Sequence, residues 1–282
     1  MIYARNSSLN RAFTLTELLV VIVVIAILAA LLLGVLGKAK GRAQASICLN
    51  NNRQLVLAWQ MYAHDNADRL VNNYGRKQMY SEYIRKDFHN WVNSFVDLTL
   101  DEQNTNQIYI SNGLLFPYTG GSVSIYKCPT DKDLSPAQRG AGWSRRIRTY
   151  SLNGFLGPQV LEKVDLTASG RNPFFKQYRQ FLKLGEIPNP AQIVVFVDEQ
   201  PDSLGDSMFW INNDGWSDIP GTYHNRACEY SYADGHAAPR TWRSATIPSK
   251  VNFTADRHWH PTDQAGLEDR NWLIEHSSAP AE

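Results

Sequence analysis

Charged residues of either sign are missing from Leu18 to Gly37, and proline is missing from Phe13 to Asp65. At about 1.5 Å per residue, an uncharged helix of that first length spans roughly 30 Å, one bilayer core. Cysteine is scarce. Cys48, Cys128 and Cys228 leave at least one thiol unpaired within a chain, and no Cys-x-x-Cys pair is present, which argues against a cysteine-rich zinc site. An excess of one charge is lacking too, since 28 Lys and Arg stand against 27 Asp and Glu. With a net charge of +1 and no basic run, nucleic acid is not an expected partner. No Gly-x-Ser-x-Gly elbow, Walker A loop, dinucleotide fingerprint or His-Glu-x-x-His motif occurs, so an enzyme is not expected. Internal repeats and low-complexity tracts are also absent.

What is present is an aromatic-rich chain of 282 residues, 11% aromatic and 20% charged, the composition of a folded domain rather than a disordered tail. Residues 1–12 form a short leader with Arg5 and Arg11 and no acid. Beyond the apolar run a helical rhythm continues to about Asp65. Cys48, Leu55, Trp59, Tyr62 and Ala63 fall near one face, with Arg42, Asn50, Arg53 and Gln60 mostly elsewhere. The simplest reading is one helix of about fifty residues, apolar all round in its first half and amphipathic in its second. Gly34, Gly37 and Gly41 each weaken it by roughly 1 kcal/mol relative to Ala and mark a place to bend or melt. After Asp65 the pattern turns to short elements. A helix is expected over 76–88, strands over 91–95, 123–128 and 148–152, and one helical turn over 114–118. A buried strand is expected over 192–198, and a hairpin from Cys228 to Trp242 with Asp234-Gly235 as a two-residue type I′ turn.

The stretch Phe13-Thr14-Leu15-Thr16-Glu17, running directly into Leu18-Leu19-Val20-Val21-Ile22, resembles the N-terminal processing segment of type IV pilins and type II secretion pseudopilins. An ordinary signal peptide ends in its small-x-small site after the apolar run; here the small residue precedes it. The resemblance implies cleavage by prepilin peptidase between Ala12 and Phe13, methylation of the new amine, and Glu17 as the fifth mature residue. It implies that Phe13 and Glu17 serve subunit assembly, Glu17 pairing with the Phe13 amine of a neighbour. The alternative for Glu17 is an interfacial carboxylate facing water, since one inside the bilayer costs on the order of 2.5–3.5 kcal/mol. The family usually has Gly where this chain has Ala12. Counting Lys and Arg near the span (Arg5 and Arg11 before, Lys38, Lys40, Arg42 and Arg53 after) would by itself put the C-terminal side in the cytosol. The resemblance demands the reverse and is followed, because the leader must meet a peptidase active on the cytosolic face.

A second resemblance covers the C-terminal part. His224, nine residues, then Asp234-Gly235 is similar to the His-x9-Asp-Gly signature of prepilin-like proteins with large exported domains. So are the segments Cys48 to Leu55, Met61 to Asn66, Lys127 to Asp131 and Val197 to Glu199. His224, Asp234 and His236 could converge at one end of the hairpin and, with Asp198 and Glu199, hold Ca²⁺ or Zn²⁺. The alternative is a turn, a capping histidine and solvated acids, and no cofactor is certain. Cys48 and Cys128 could form a disulfide pinning the helix to the sheet, or stay buried free thiols. The eight tryptophans are either core or a sugar-stacking surface.

The expected fold is α+β and pilin-like, a long N-terminal helix packed on an antiparallel β-sheet with extended loops. It divides into a leader (1–12), a transmembrane and assembly half-helix (13–37), an amphipathic half-helix (38–66) and an exported globular domain (67–282). The expected function is a structural subunit of a pilus or a type II secretion pseudopilus, anchored by a single pass in the bacterial inner membrane with its C-terminal domain periplasmic or extracellular. Its partners would be prepilin peptidase, other pilin or pseudopilin subunits and inner-membrane lipid. The alternative is a membrane-anchored domain that binds metal or glycan and never polymerises; a weaker third is an anchored hydrolase using His224, Asp198 and Asp234.

Overall fold

The computed structural model describes residues 14–161, 164–165, 170–211, 216–254 and 258–281. The chain divides into two compact units, Met1–Ala43 and Gln44–Glu282. In the first unit α1 (Leu15–Asp65, 51 residues) begins, and it is long and apolar enough to cross a membrane. Its side chains from Leu15 to Arg42 are all exposed, among them Leu18 to Leu36. No soluble surface carries so continuous an apolar sleeve without a partner or a lipid. The helix runs unbroken through Gly34, Gly37 and Gly41, where an added Cβ would meet nothing within 4 Å.

In the second unit the same helix becomes one-sided. Cys48, Leu55, Val56, Trp59 and Ala63 are buried in one core, whereas Asn50 and Arg53 are exposed, as the 3.6-residue period requires. The helix stops where Ala67 and Asp68 take left-handed φ values of 54° and 68°, and Asp68 N donates back to Ala63 O. Then come α2 (Arg76–Arg85), α3 (Ile108–Ser111), α4 (Pro136–Gly140) and, near the C-terminus, α5 (Gln264–Glu275).

The strands are β1 (Tyr150–Asn153), β2 (Val160–Leu161), β3 (Val164–Asp165), β4 (Val194–Asp198), β5 (Met208–Phe209), β6 (Ala227–Tyr232) and β7 (Ala237–Thr241). Five form a sheet ordered β5-β1-β4-β6-β7, antiparallel except for the β1–β5 pair; β2 and β3 form a separate ribbon. The fold is therefore α+β with a long N-terminal helix. β4 is buried along its whole length because both faces of the sheet are covered, which is why it reads as an uninterrupted apolar run. Ile193, Val195 and Phe196 join the core that contains α1; Val194 and Val197 join a second core with Trp216, Tyr230, Trp242, Trp259 and Leu273 of α5. Simple alternation would separate Val195 from Phe196. The register shifts between Val194 and Val197, however, and this bulge turns the strand end over. β7, with Pro239 and a half-exposed pattern, is the edge strand opposite β5.

Several expected elements differ. Residues 123–128 contain a 3₁₀ helix (Val123–Tyr126) in place of a strand, because Ile125 and Tyr126 reach the core from a single turn. Among the described residues, 91–95 pair with no strand; Trp91 and Val92 are buried from an irregular segment tied down by Asn90. The hairpin is confirmed, but its loop has three residues, Ala233, Asp234 and Gly235. Gly235 alone of Asp234 and Gly235 has positive φ (95°), so this is not a type I′ turn. Trp59, Trp91, Trp216, Trp242 and Trp259 are buried, and Trp216 packs edge-on against Trp242 and Trp259 at 5.1 and 5.4 Å. These five are core rather than a sugar platform.

Candidate functional site

Two places carry the chemistry picked out in the sequence. At the start of α1, Ala12 and Phe13 lie outside the described residues. Glu17 is described, and its carboxylate accepts from Thr14 N at 2.8 Å and from Thr14 Oγ1 at 2.7 Å. Glu17 N in turn approaches Thr14 Oγ1 at 3.3 Å. Thr14-x-x-Glu17 is thus a capping box, satisfying two of the amide donors that a helix leaves free at its N-terminus. This role was readable as a Thr three residues before a Glu but is easily overlooked inside a processing motif.

In the second unit, four polar side chains from distant segments meet in the core. Cys48 projects from α1, Cys128 follows the Val123–Tyr126 turn, Asp198 ends β4 and His224 precedes β6. One ligand atom from each lies within 4.8 Å of the others. Cys48 Sγ is 3.8 Å from Asp198 Oδ2, and Cys128 Sγ is 3.3 Å from His224 Nε2. The fold places them deliberately. Asn51 Nδ2 donates to Lys127 O at 3.0 Å, fixing the Cys128 segment to α1, and Cys128 N donates to Thr149 Oγ1 at 2.9 Å. Asp198 stands opposite Tyr150 in the β1–β4 register, and the Tyr150 hydroxyl lies 2.9 Å from Cys48 Sγ. Glu229 of β6 sits beside the cluster, its Oε2 3.5 Å from His224 Nε2.

Burial governs the electrostatics. It pushes the thiols of Cys48 and Cys128 up from their ordinary range, and neighbouring Asp198 adds to both shifts. It raises Asp198 to about 7, and Glu229, with Asp198 adding to it, to about 9. His224 is lowered by burial, which favours the neutral imidazole.

The expected ligand set is therefore only partly brought together. Asp198 and His224 meet, but Asp234 and His236 do not join them. They are exposed at the hairpin loop, where Asp234 Oδ1 accepts from His236 N at 3.1 Å and lies 2.6 Å from His236 Nδ1. Glu199 points away as well, because successive strand residues face opposite sides. Its carboxylate accepts from Ser151 Oγ at 2.6 Å and Ser203 Oγ at 2.9 Å, and burial raises it to about 8. The disulfide is not formed: Cys48, Cys128 and Cys228 are all free thiols. The sulfur of Cys48 is turned toward Tyr150 and that of Cys128 toward His224.

No curated protein and no solved structure matches the chain. Residues 7–33 match a protein family described as the prokaryotic N-terminal methylation motif, the signature of prepilin peptidase substrates. With the long apolar helix α1, which begins within the matched segment and runs beyond it, this match gives the chain a type IV pilin-like, prepilin-type start.

Proposed function

We propose that the chain is a structural pilin-like subunit, cut between Ala12 and Phe13, methylated on Phe13, and assembled through α1 into a pilus or a type II secretion pseudopilus. The observation that carries this reading is the methylation motif at residues 7–33, which includes the start of an apolar helix exposed on every side. Before assembly lipid covers that surface, and residues 13–37 anchor the chain in the inner membrane with the globular unit outside the cytoplasm. On assembly the same surface packs against its copies. Glu17 then exchanges its contacts with Thr14 for the Phe13 amine of a neighbour, an exchange of a cap worth about 1 kcal/mol for an ion pair in low dielectric. Glu17→Ala tests this: the variant should enter the membrane normally and be absent from filaments. Normal incorporation would refute the pairing.

A second reading, an anchored domain that binds a ligand without polymerising, is favoured by one feature. A groove of about 550 Å³ is lined by Arg76, Lys77, Tyr80, Phe95, Asp97 and Asp101, mixing ring faces with charges of both signs.

A further inference from the structure

We propose that Cys48, Cys128, Asp198 and His224 form a four-ligand site for a thiophilic divalent cation, zinc by its chemistry, which clamps the C-terminal half of α1 to the sheet. Two thiols, an imidazole and a carboxylate are the donor types that zinc takes in closed, four-coordinate sites. A tetrahedral ion with Zn–S near 2.3 Å and Zn–N or Zn–O near 2.1 Å holds its donors about 3.3–3.8 Å apart. Two edges of the cluster, 3.3 Å for Cys128 Sγ to His224 Nε2 and 3.8 Å for Cys48 Sγ to Asp198 Oδ2, fall on that range. The donors are shielded from solvent: Cys48, Cys128 and Asp198 are 0% exposed, and the His224 side chain is 5% exposed.

An independent feature also points to a ligand. Asp198 Oδ1 is buried and accepts no hydrogen bond among the described residues. Leaving such an oxygen unpaired is costly, and more so if it is charged. A cation taken through Oδ2 would offset the charge of this buried carboxylate and so lower the cost of leaving Oδ1 unpaired. The surroundings fit a structural site, since ligands of such sites are held by an outer ring of hydrogen bonds. The Tyr150 hydroxyl can donate to a Cys48 thiolate at 2.9 Å, and the backbone of Cys128 is held by Thr149 Oγ1. Soft sulfur donors disfavour Ca²⁺ and Mg²⁺, and a tetrahedral set disfavours the tetragonal preference of Cu²⁺. Binding displaces the protons of both thiols into solvent and needs no oxidant. Glu229 borders His224, at 3.5 Å, and Cys48, but it is not one of the four groups whose donor atoms lie within 4.8 Å of one another.

The test uses the full chain purified in detergent after exposure to zinc, with metal measured by mass spectrometry after exhaustive dialysis. One zinc per chain is expected. Replacement by Co²⁺ should give thiolate-to-cobalt charge-transfer bands and the intense visible bands of a tetrahedral ion. Cys48→Ser and Cys128→Ser should each lose stoichiometric metal, while the hairpin variants Asp234→Asn and His236→Ala keep it. The wild-type cobalt spectrum guards against a cysteine variant that merely fails to fold. Three results would each overturn the proposal: a wild-type spectrum without thiolate bands, a Cys48–Cys128 disulfide in the purified chain, or full zinc content in Cys128→Ser.

Discussion

Cys128 Sγ and His224 Nε2 lie 3.3 Å apart although 96 residues separate them in the chain. The contact joins the segment after the Val123–Tyr126 turn to the approach to β6, and Cys48 brings α1 to the same point. On the function proposed above, the apolar part of α1 changes surroundings while its C-terminal half stays packed on the sheet. A metal clamp at Cys48 would stiffen that attachment without adding apolar surface.

Removing the metal should therefore loosen the globular unit. A ligand bound only by the native state stabilises it by about 2.7 kcal/mol at a free concentration one hundredfold above Kd. For a unit of this size that is a Tm shift of roughly 5–10 °C. Chelator should lower the Tm by this amount and zinc should restore it, read by near-ultraviolet circular dichroism of the tryptophan core. An identical Tm with and without chelator contradicts a structural metal.

Trp59 separates packing from hydrogen bonding at the same helix face. It is 0% exposed and its Nε1 has no partner among the described residues. Trp59→Ala should cost about 3–5 kcal/mol through the cavity it leaves. Trp59→Phe should cost clearly less, since it also removes an unpaired buried N–H. Urea unfolding of the two variants checks the order.

Glu82 gives a pH dependence with a definite sign. Its carboxyl is 2% exposed, and burial raises its pKa above the ordinary value of 4.5, opposed by the hydrogen bond donated by His89 N. A group whose folded pKa is raised stabilises the fold fully below its unfolded value and loses that stabilisation as pH rises through the folded value. Glu82→Gln, which keeps an acceptor for His89 N, should remove this loss. The variant should gain on the wild type in Tm as pH rises from 4 toward neutrality, and a constant difference at every pH contradicts the assignment.

Gly34 and Gly37 test whether α1 must bend or melt during assembly. Ala fits both positions, and each change stiffens the helix by about 1 kcal/mol. The double variant should insert in membranes normally and yield fewer filaments; wild-type yield would deny the glycines a role.

The legible parts of the sequence were those with long-range pattern. An uncharged run and the absence of proline marked α1, and five apolar residues before Asp198 marked β4. Six-residue segments carried too little period, so residues 123–128 read as strand although Val123–Tyr126 coils into one turn. At the candidate site, neighbourhood in sequence misled. Asp234 and His236 lie near His224 in the chain but pair with each other at the loop, while Cys48 is 150 residues from Asp198 and 3.8 Å away in space. The missing Cys-x-x-Cys spoke only to sites built within one loop; here each thiol comes from a separate segment, and no spacing rule reports that.

The mass of the mature N-terminus tests the central claim most directly. Intact-mass and peptide analysis of the chain isolated from membranes should find it beginning at an N-methylated Phe13. A chain that still begins at Met1, or one cut beyond residue 30, would contradict the account.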